Sequence, residues 1–414
     1  MMKQSFKSMM LMGAFLFSLL LCFTSCDPYL DDILGHWERP TYNTGDGGEG
    51  GGDEGGGEGG GSTTVKVTSI TLDKTLLPIH VGDADVTLTA TVKPDDATNK
   101  AVTWNSDKTA VATVDEAGKV HAVAIGTAII TATAKDGSGI KATCNVSVLP
   151  AGALAGVFSV SATKKVWFSQ GNLQAVFASA GSSCTWQFAT NQWDFIGDNM
   201  TTSTGNGNTS IDGNGTVSAA GTVDLFGWVG ESNNTWTGAA QYGISNKIQY
   251  YTTTTSDYGN VSSENLKSDW GNTIATDWYT LTKDEWEYLF NTRTVNGGTG
   301  AGHSYTLGKN IYGPGGSATG IVLYPDNYEG AEFTDGPSSV WATFEEAGCV
   351  FLPAAGHRNG TAVANPGFDC HYWSSSPKSA TNAYQVSYTT STLKTDGDGY
   401  RCTGHSVRLV YNAQ

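Results

Sequence analysis

Seven cysteines, seven histidines and a large stock of serine and aspartate are the reactive side chains of this 414-residue sequence. Zinc and dithiol chemistry need cysteines at short, regular spacing, and Cys22, Cys26, Cys144, Cys184, Cys349, Cys370 and Cys402 form neither a CxxC pair nor any zinc pattern. His303, His357, His371 and His405 lack an HxxxH-like spacing, so no metal site is expected. No GxSxG elbow frames a serine nucleophile. His357 reads as a packed or surface ring, and no catalytic function and no cofactor are expected. Asp194, Asp198, Asn199 and Asp212 offer hard oxygen ligands of the kind calcium takes, without EF-hand spacing, and solvated turn residues are the simpler reading. Net charge is −16, which repels a polyanion and excludes nucleic acid as a partner.

The elements that must position any site follow from composition. Glycine is abundant, 53 residues, and charged residues are only 15%, against a usual level of about 25%, which disfavours long helices and points to a turn-rich, mainly β chain of more than one domain. Lys3 and Lys7 precede an apolar run from Met9 to Phe23 that is too short to span a bilayer, so residues 1–25 read as a signal peptide. FTSC at 23–26 resembles a lipoprotein cleavage box, with Phe23 where that box usually has Leu. The resemblance implies a lipid on Cys26 and a membrane anchor. Asp27, Asp31 and Asp32 look like the signals that export some lipoproteins across the outer membrane, so surface exposure is expected. Export permits a disulfide; Cys370 with Cys402 is the first pair to consider, and otherwise five cysteines stand alone, at least two of them exposed.

Residues 26–64 make a tether. Its GDGGEGGGDEGGGEGGG tract at 45–61 holds no apolar side chain to offset ordering entropy, and 17 such residues reach about 23 Å as a coil. From Val65 to Leu149 the pattern becomes seven short alternating β runs, among them VTLTATV, AVTWNSD and AIITATAKD, the spacing of a β-sandwich with Trp104 as its core aromatic. Gly82, Leu88, Ala90, Pro94, VTWNS at 102–106, VATV at 111–114, Gly118, Val120 and Gly126 resemble the bacterial Ig-like group 2 domain. The resemblance implies a spacer over 65–150 in a surface protein.

Residues 155–414 carry ten of the twelve tryptophans and form the expected functional head. LTKDEWEYLFNTR predicts a helix, because Thr282 and Glu285 make a capping box, Trp286, Leu289 and Phe290 share a face, and Arg293 suits the C-terminal dipole. WYTLTKDEWEYLFNTR, FLPAAGHRNG at 351–360, YWSSS at 372–376 and SVRLV at 406–410 resemble the formylglycine-generating-enzyme-like variant of the C-type lectin fold. FSVSATKKVWFSQGNLQ at 158–174 and WQFATNQWDFIG at 186–197 narrow this to the Fibrobacter-type major paralogous domain. What the resemblance implies is an α+β lectin-like head after the Ig-like sandwich. The enzymes sharing that fold use two neighbouring cysteines, whereas Cys370 and Cys402 lie 32 residues apart.

Three stretches between the framework pieces supply the candidate ligand-binding residues. FDCH at 368–371 gives Phe368, Asp369, Cys370 and His371; TTST at 389–392 gives Thr390; TDGDGYRCTGH at 395–405 gives Asp396, Asp398, Tyr400, Arg401, Thr403 and His405. These stretches lack Lys, Gln, Glu, Met and Trp, the residue types that adenine randomisation of AAC-like codons cannot produce. In that respect they resemble the variable target proteins of diversity-generating retroelements. Rigid aromatic and polar groups beside small Gly and Thr suit a binding face, and the carboxylates suit a basic or hydroxylated partner. The sequence thus predicts a lipid-anchored outer-membrane protein whose head binds a protein or glycan ligand. A formylglycine-type oxidoreductase and a structural or fimbrial surface component are the alternatives.

Overall fold

The computed structural model describes residues 64–195, 207–212, 215–229, 238–247, 270–275, 277–295, 304–313, 316–389 and 391–413. Cys26, the tether, Asp198, Asn199, His303 and Thr390 lie outside them. Among the described residues no helix is long and apolar enough to cross a membrane.

The N-terminal sandwich has nine strands: β1 Ser69–Leu72, β2 Leu76–His80, β3 Val86–Thr87, β4 Ala90–Lys93, β5 Val102–Ser106, β6 Ala112–Val114, β7 Lys119–Ala122, β8 Gly126–Ala134 and β9 Lys141–Leu149. They form one sheet in the order β2-β9-β8-β5, a second in the order β3-β7-β6, and a β1-β4 ribbon. Two strands exceed the seven expected. β2 carries Pro78, which removes a ladder donor and hides the strand from sequence reading; it sits at the sheet edge, parallel to β9, where proline is tolerated. VTLTATV divides between β3 and β4, which join different sheets. Along β8 alternate residues are buried, sending Ala128 and Ile130 into a core with Leu77, Ile79, Leu88, Val120, Val146 and Val148. Trp104 packs against two clusters yet is only half-buried, since β5 is an edge strand and one side of the ring stays open. Gly118, at φ +82, is required here: a Cβ would stand 2.6 Å from the Leu88 carbonyl and 2.8 Å from the Trp104 ring.

The sandwich passes to the head through a turn. β9 ends at Leu149 and the head's first strand begins at Ala153, two residues before the expected start at 155. His80 Nε2 donates to the Ala153 carbonyl at 2.9 Å, tying β2 to that strand.

The head continues with β10 Ala153–Ser159, β11 Lys165–Ser169, β12 Leu173–Phe177, β13 Cys184–Phe188, β14 Gly221–Val223, β15 Trp278–Thr280, α1 Lys283–Asn291, β16 Tyr305–Gly313, β17 Gly316–Leu323, β18 Gly336–Pro337 and α2 Ser338–Glu346. It closes with β19 Val350–Pro353, β20 His357–Asn359, β21 Ala362–Ala364, β22 Asp369–Pro377, β23 Asn382–Thr389, β24 Thr392–Tyr400 and β25 Leu409–Asn412. Both ends of the head share one sheet, β10-β11-β25-β15, which holds the C-terminal LVYN strand between partners more than a hundred residues upstream. Helix α1 forms as its sequence dictates. Thr282 Oγ1 accepts from the Glu285 amide at 3.2 Å and Glu285 Oε2 accepts from the Thr282 amide at 2.8 Å. Trp286, Leu289 and Phe290 are buried against Phe168, Tyr372 and Val386. Arg293 folds back on the helix end, donating to Leu289 O, to Tyr324 O at 2.6 Å and to Ser304 O at 2.9 Å. Burial lowers its pKa to about 10.

Candidate functional site

The sheet β22-β23-β24 carries most of the candidate residues, and its register decides which can act together. Asp369 lies opposite Thr389, His371 opposite Ser387 and Trp373 opposite Gln385. Opposed residues of antiparallel strands share a face, so Asp369, His371, Trp373, Gln385 and Ser387 stand on one side. The other side, with Cys370, Tyr372, Val386 and Tyr388, packs under α1 in the core. The first side grades from closed to open. Trp373 is buried, with its Nε1–H on the Phe226 carbonyl at 2.6 Å, while His371 and Asp369 are partly exposed.

Three histidines converge there. The His371 ring stacks on His405 at 4.9 Å and 22°, His405 lies 4.1 Å from Trp373, and His357 meets His371 edge-on at 5.5 Å. Backbone lacing fixes this arrangement: the Gly356 amide donates to Asp369 O at 2.8 Å, Ser406 N to His371 O at 3.0 Å, and Arg358 and Gly404 exchange bonds of 2.8 and 2.7 Å. β24 contributes glycines over this end of the face. A Cβ at Gly399 would meet His405 Cε1 at 2.7 Å, so a bare backbone is what lets β24 close over that ring. His371 Nδ1 lies 3.1 Å from Gln385 Oε1. An amide oxygen only accepts, so Nδ1 carries the proton and Nε2 keeps its lone pair. Desolvation lowers the pKa of His357 and His371, and drives that of His405 well below the ordinary range, with His371, His357 and Arg358 adding to the effect. At neutral pH all three rings are uncharged.

The candidate stretches do not make one patch. Phe368 is 69% exposed on the turn before β22, and Asp369 and His371 occupy the open face. Asp398 stands opposite Tyr384 and Tyr400 opposite Asn382, which places both on the reverse face from His371; Asp398 is engaged by Lys378 Nζ at 2.5 Å and Asn382 Nδ2 at 2.7 Å, and the Lys378 bond lowers its pKa. Asp396 is exposed and Thr403 half-buried. Cys370, Arg401 and His405 are corrections to the expected surface, because all three are buried. Cys370 alternates inward beneath the Leu352 carbonyl. Arg401 donates to Trp228 O at 3.2 Å and Ala380 O at 2.6 Å with its guanidinium over the Trp228 ring, so it braces the loops. His405 lies in the stack described above.

Among the described residues Cys370 and Cys402 form no disulfide: Cys144, Cys184, Cys349, Cys370 and Cys402 all keep their thiols, four of them buried and Cys184 partly so, rather than two exposed. Desolvation pushes Cys402 up to about 11, Cys349 up to about 12, and Cys370 higher still, so these are thiols and not thiolates. Asp194 is spent on its own turn, accepting from Asn191 N at 2.9 Å, and burial raises its pKa; Asp212 accepts from Thr216 N at 2.9 Å.

His357, which the sequence reads as a packed or surface ring, stands beside two of the candidate residues. Asp369 and His371 are i and i+2 on one strand and therefore share a face, a signal visible in the sequence. His357 joins them from β20, through a contact no spacing encodes. The three side chains offer donor atoms that all lie within 4.8 Å of one another.

Comparison with known proteins places the sandwich. Residues 66–146 match the bacterial Ig-like domain (group 2) family. A Clostridium acetobutylicum protein is 48% identical over 84 residues, 20% of this chain and 9% of that protein. An Ig-like virion protein of Serratia phage KSP90 is 43% identical over 88 residues, 21% of this chain and 33% of its own length. A lacto-N-biosidase of Bifidobacterium bifidum is 52% identical over 60 residues, 14% of this chain and 5% of that enzyme. The chain therefore spans a small part of each of these relatives. Among solved structures, a mutant intimin of EHEC O157:H7 aligns over 22% of this chain and 54% of that chain, at 19% identity and a TM-score of 0.16. Residues 66–146 are thus a bacterial Ig-like domain of group 2, preceding the head that carries the histidine face.

Proposed function

We propose that this chain is a surface-displayed lipoprotein, anchored through Cys26, in which the tether and the Ig-like domain hold out a C-type-lectin-like head that binds a protein or glycan without covalent chemistry. The observation that carries the reading is the open end of the β22-β23-β24 sheet. There Asp369 and His371 stand partly exposed beside Phe368 on a floor of buried Trp373, His405 and Arg358. Exposed groups on a rigid base are what a binding face needs, because little ordering entropy is then lost on association. The ligand set accordingly narrows to Phe368, Asp369 and His371, with Asp396 and Thr403 as outlying contacts. Asp398 and Tyr400 on the reverse face form a separate surface.

The codon composition of 368–371 and 395–405 supports retroelement diversification of this face. Variation at Cys370, Arg401 and His405 carries a packing cost, so on this face it should concentrate at Phe368, Asp369, His371 and Asp396. A formylglycine-type oxidoreductase requires two activated thiolates, whereas Cys370 and Cys402 are buried with raised pKa.

The test is a screen of the full chain on a glycan array and a displayed-peptide library. The reading expects a saturable binder whose affinity falls at least tenfold in the Phe368→Ala/Asp369→Asn double variant. Binding that survives this change undiminished, or no binder on either array, contradicts it.

A further inference from the structure

We propose that His357, Asp369 and His371 form a binding site for a single divalent transition-metal ion of the zinc class. The donor atoms of the three lie within 4.8 Å of one another, and each side chain is partly exposed, so an ion has both a cage and a way in. Two imidazoles and one carboxylate are the donor set that zinc and its neighbours take, while calcium and magnesium prefer oxygens throughout. Tetrahedral coordination at ordinary bond lengths needs donors about 3.3 Å apart, so an ion would draw the Asp369 and His357 side chains in toward the fixed His371 ring.

Three further observations point the same way. His371 Nδ1 is occupied by Gln385 Oε1 at 3.1 Å, which fixes the tautomer and leaves Nε2 as the donor; metal-binding histidines are oriented by such a partner. Asp369 Oδ2 accepts from Asn365 Nδ2 at 2.6 Å, so the carboxylate is oriented too, and Asn365 holds its place with a left-handed backbone, φ 54. His357 Nδ1 is buried without a hydrogen-bond partner, an unsatisfied polar atom that a metal bond would relieve.

Three protein donors leave a coordination position toward solvent, beside exposed Phe368. That position suits a ligand carboxylate, hydroxyl or imidazole. The metal site rests on this geometry alone and stands whether or not the head binds a glycan or protein.

The test is calorimetric titration of the full chain with Zn2+, paired with the visible absorption spectrum of its Co2+ form. One ion per chain is expected at this site, with Co2+ bands of a low-coordinate nitrogen and oxygen set. His357→Ala and His371→Ala should abolish both signals, and Asp369→Asn should weaken Zn2+ by at least tenfold. Gln385→Leu, which removes the orienting acceptor, should weaken it by about 10- to 100-fold. His121→Ala, in the Ig-like domain, should leave affinity unchanged, and Ca2+ at about 1 mM should not compete. Asp369 is partly exposed, so its substitution keeps the test decisive if a histidine variant misfolds. Unchanged Zn2+ affinity in Asp369→Asn and His371→Ala, or no saturable binding by the wild type below about 1 mM, overturns the proposal.

Discussion

Substituting Gly399 by alanine tests the geometry of the histidine face directly. Built on the existing backbone, the added methyl stands 2.7 Å from His405 Cε1, 3.2 Å from Gln385 Nε2 and 3.2 Å from Trp373 Cη2. None of these neighbours can retreat easily. His405 is 3% exposed and clamped between Trp373 at 4.1 Å and His371 at 4.9 Å, and Trp373 is fixed through its indole N–H. Overpacking of this kind costs about 1–3 kcal/mol. Against it stands a gain of about 0.4–1 kcal/mol from restricting the unfolded chain. The net expectation is a loss of about 1–2 kcal/mol. Gly397 supplies the comparison on the same strand. Its added methyl would meet Ser387 Oγ at 3.2 Å and Gln385 O at 3.3 Å, and the serine hydroxyl can turn away. Gly397→Ala should therefore lie within about 0.5 kcal/mol of wild type. Urea unfolding of the full chain, followed by tryptophan fluorescence, separates the two. A Gly399→Ala protein as stable as Gly397→Ala would refute the claim that β24 closes directly on His405.

Loss of the α1 capping box in Thr282→Ala should cost about 1 kcal/mol in the same assay, and an unchanged midpoint would mean that the cap is redundant. Histidine burial sets a pH dependence: with folded pKa values below the usual 6.5, the unfolded chain takes up protons that the folded one refuses. Stability should thus be complete above pH 6.5 and decline as pH falls below it, by about 1.4 kcal/mol for each unit of depression. Urea midpoints measured between pH 7.5 and 5 should fall, less steeply in His405→Phe, and a flat profile would contradict the buried stack.

Local information was legible in the sequence and register was not. The capping residues Thr282 and Glu285 and the face of Trp286, Leu289 and Phe290 are set within one helix, so spacing alone finds them. β2 escapes because Pro78 argues against a strand and its partner β9 lies some 70 residues away. The binding surface fails for a related reason. Which side of the sheet Asp398 and Tyr400 occupy depends on an irregularity between Gln385 and Ser387 that no propensity encodes. Arg401 reads as a surface cation until the carbonyls of Trp228 and Ala380 are seen to hold it. His357 reads as a bystander until the Gly356 amide is seen bonded to Asp369.

The most direct test of surface display is antibody labelling of the head on intact cells, before and after external proteinase K, for the wild-type and Cys26→Ala chains. Bright labelling that the protease removes, and its disappearance with release of Cys26→Ala into the soluble fraction, is the expected result. Labelling only after cell lysis, or continued membrane retention of Cys26→Ala, would contradict a lipid-anchored head displayed outside the cell.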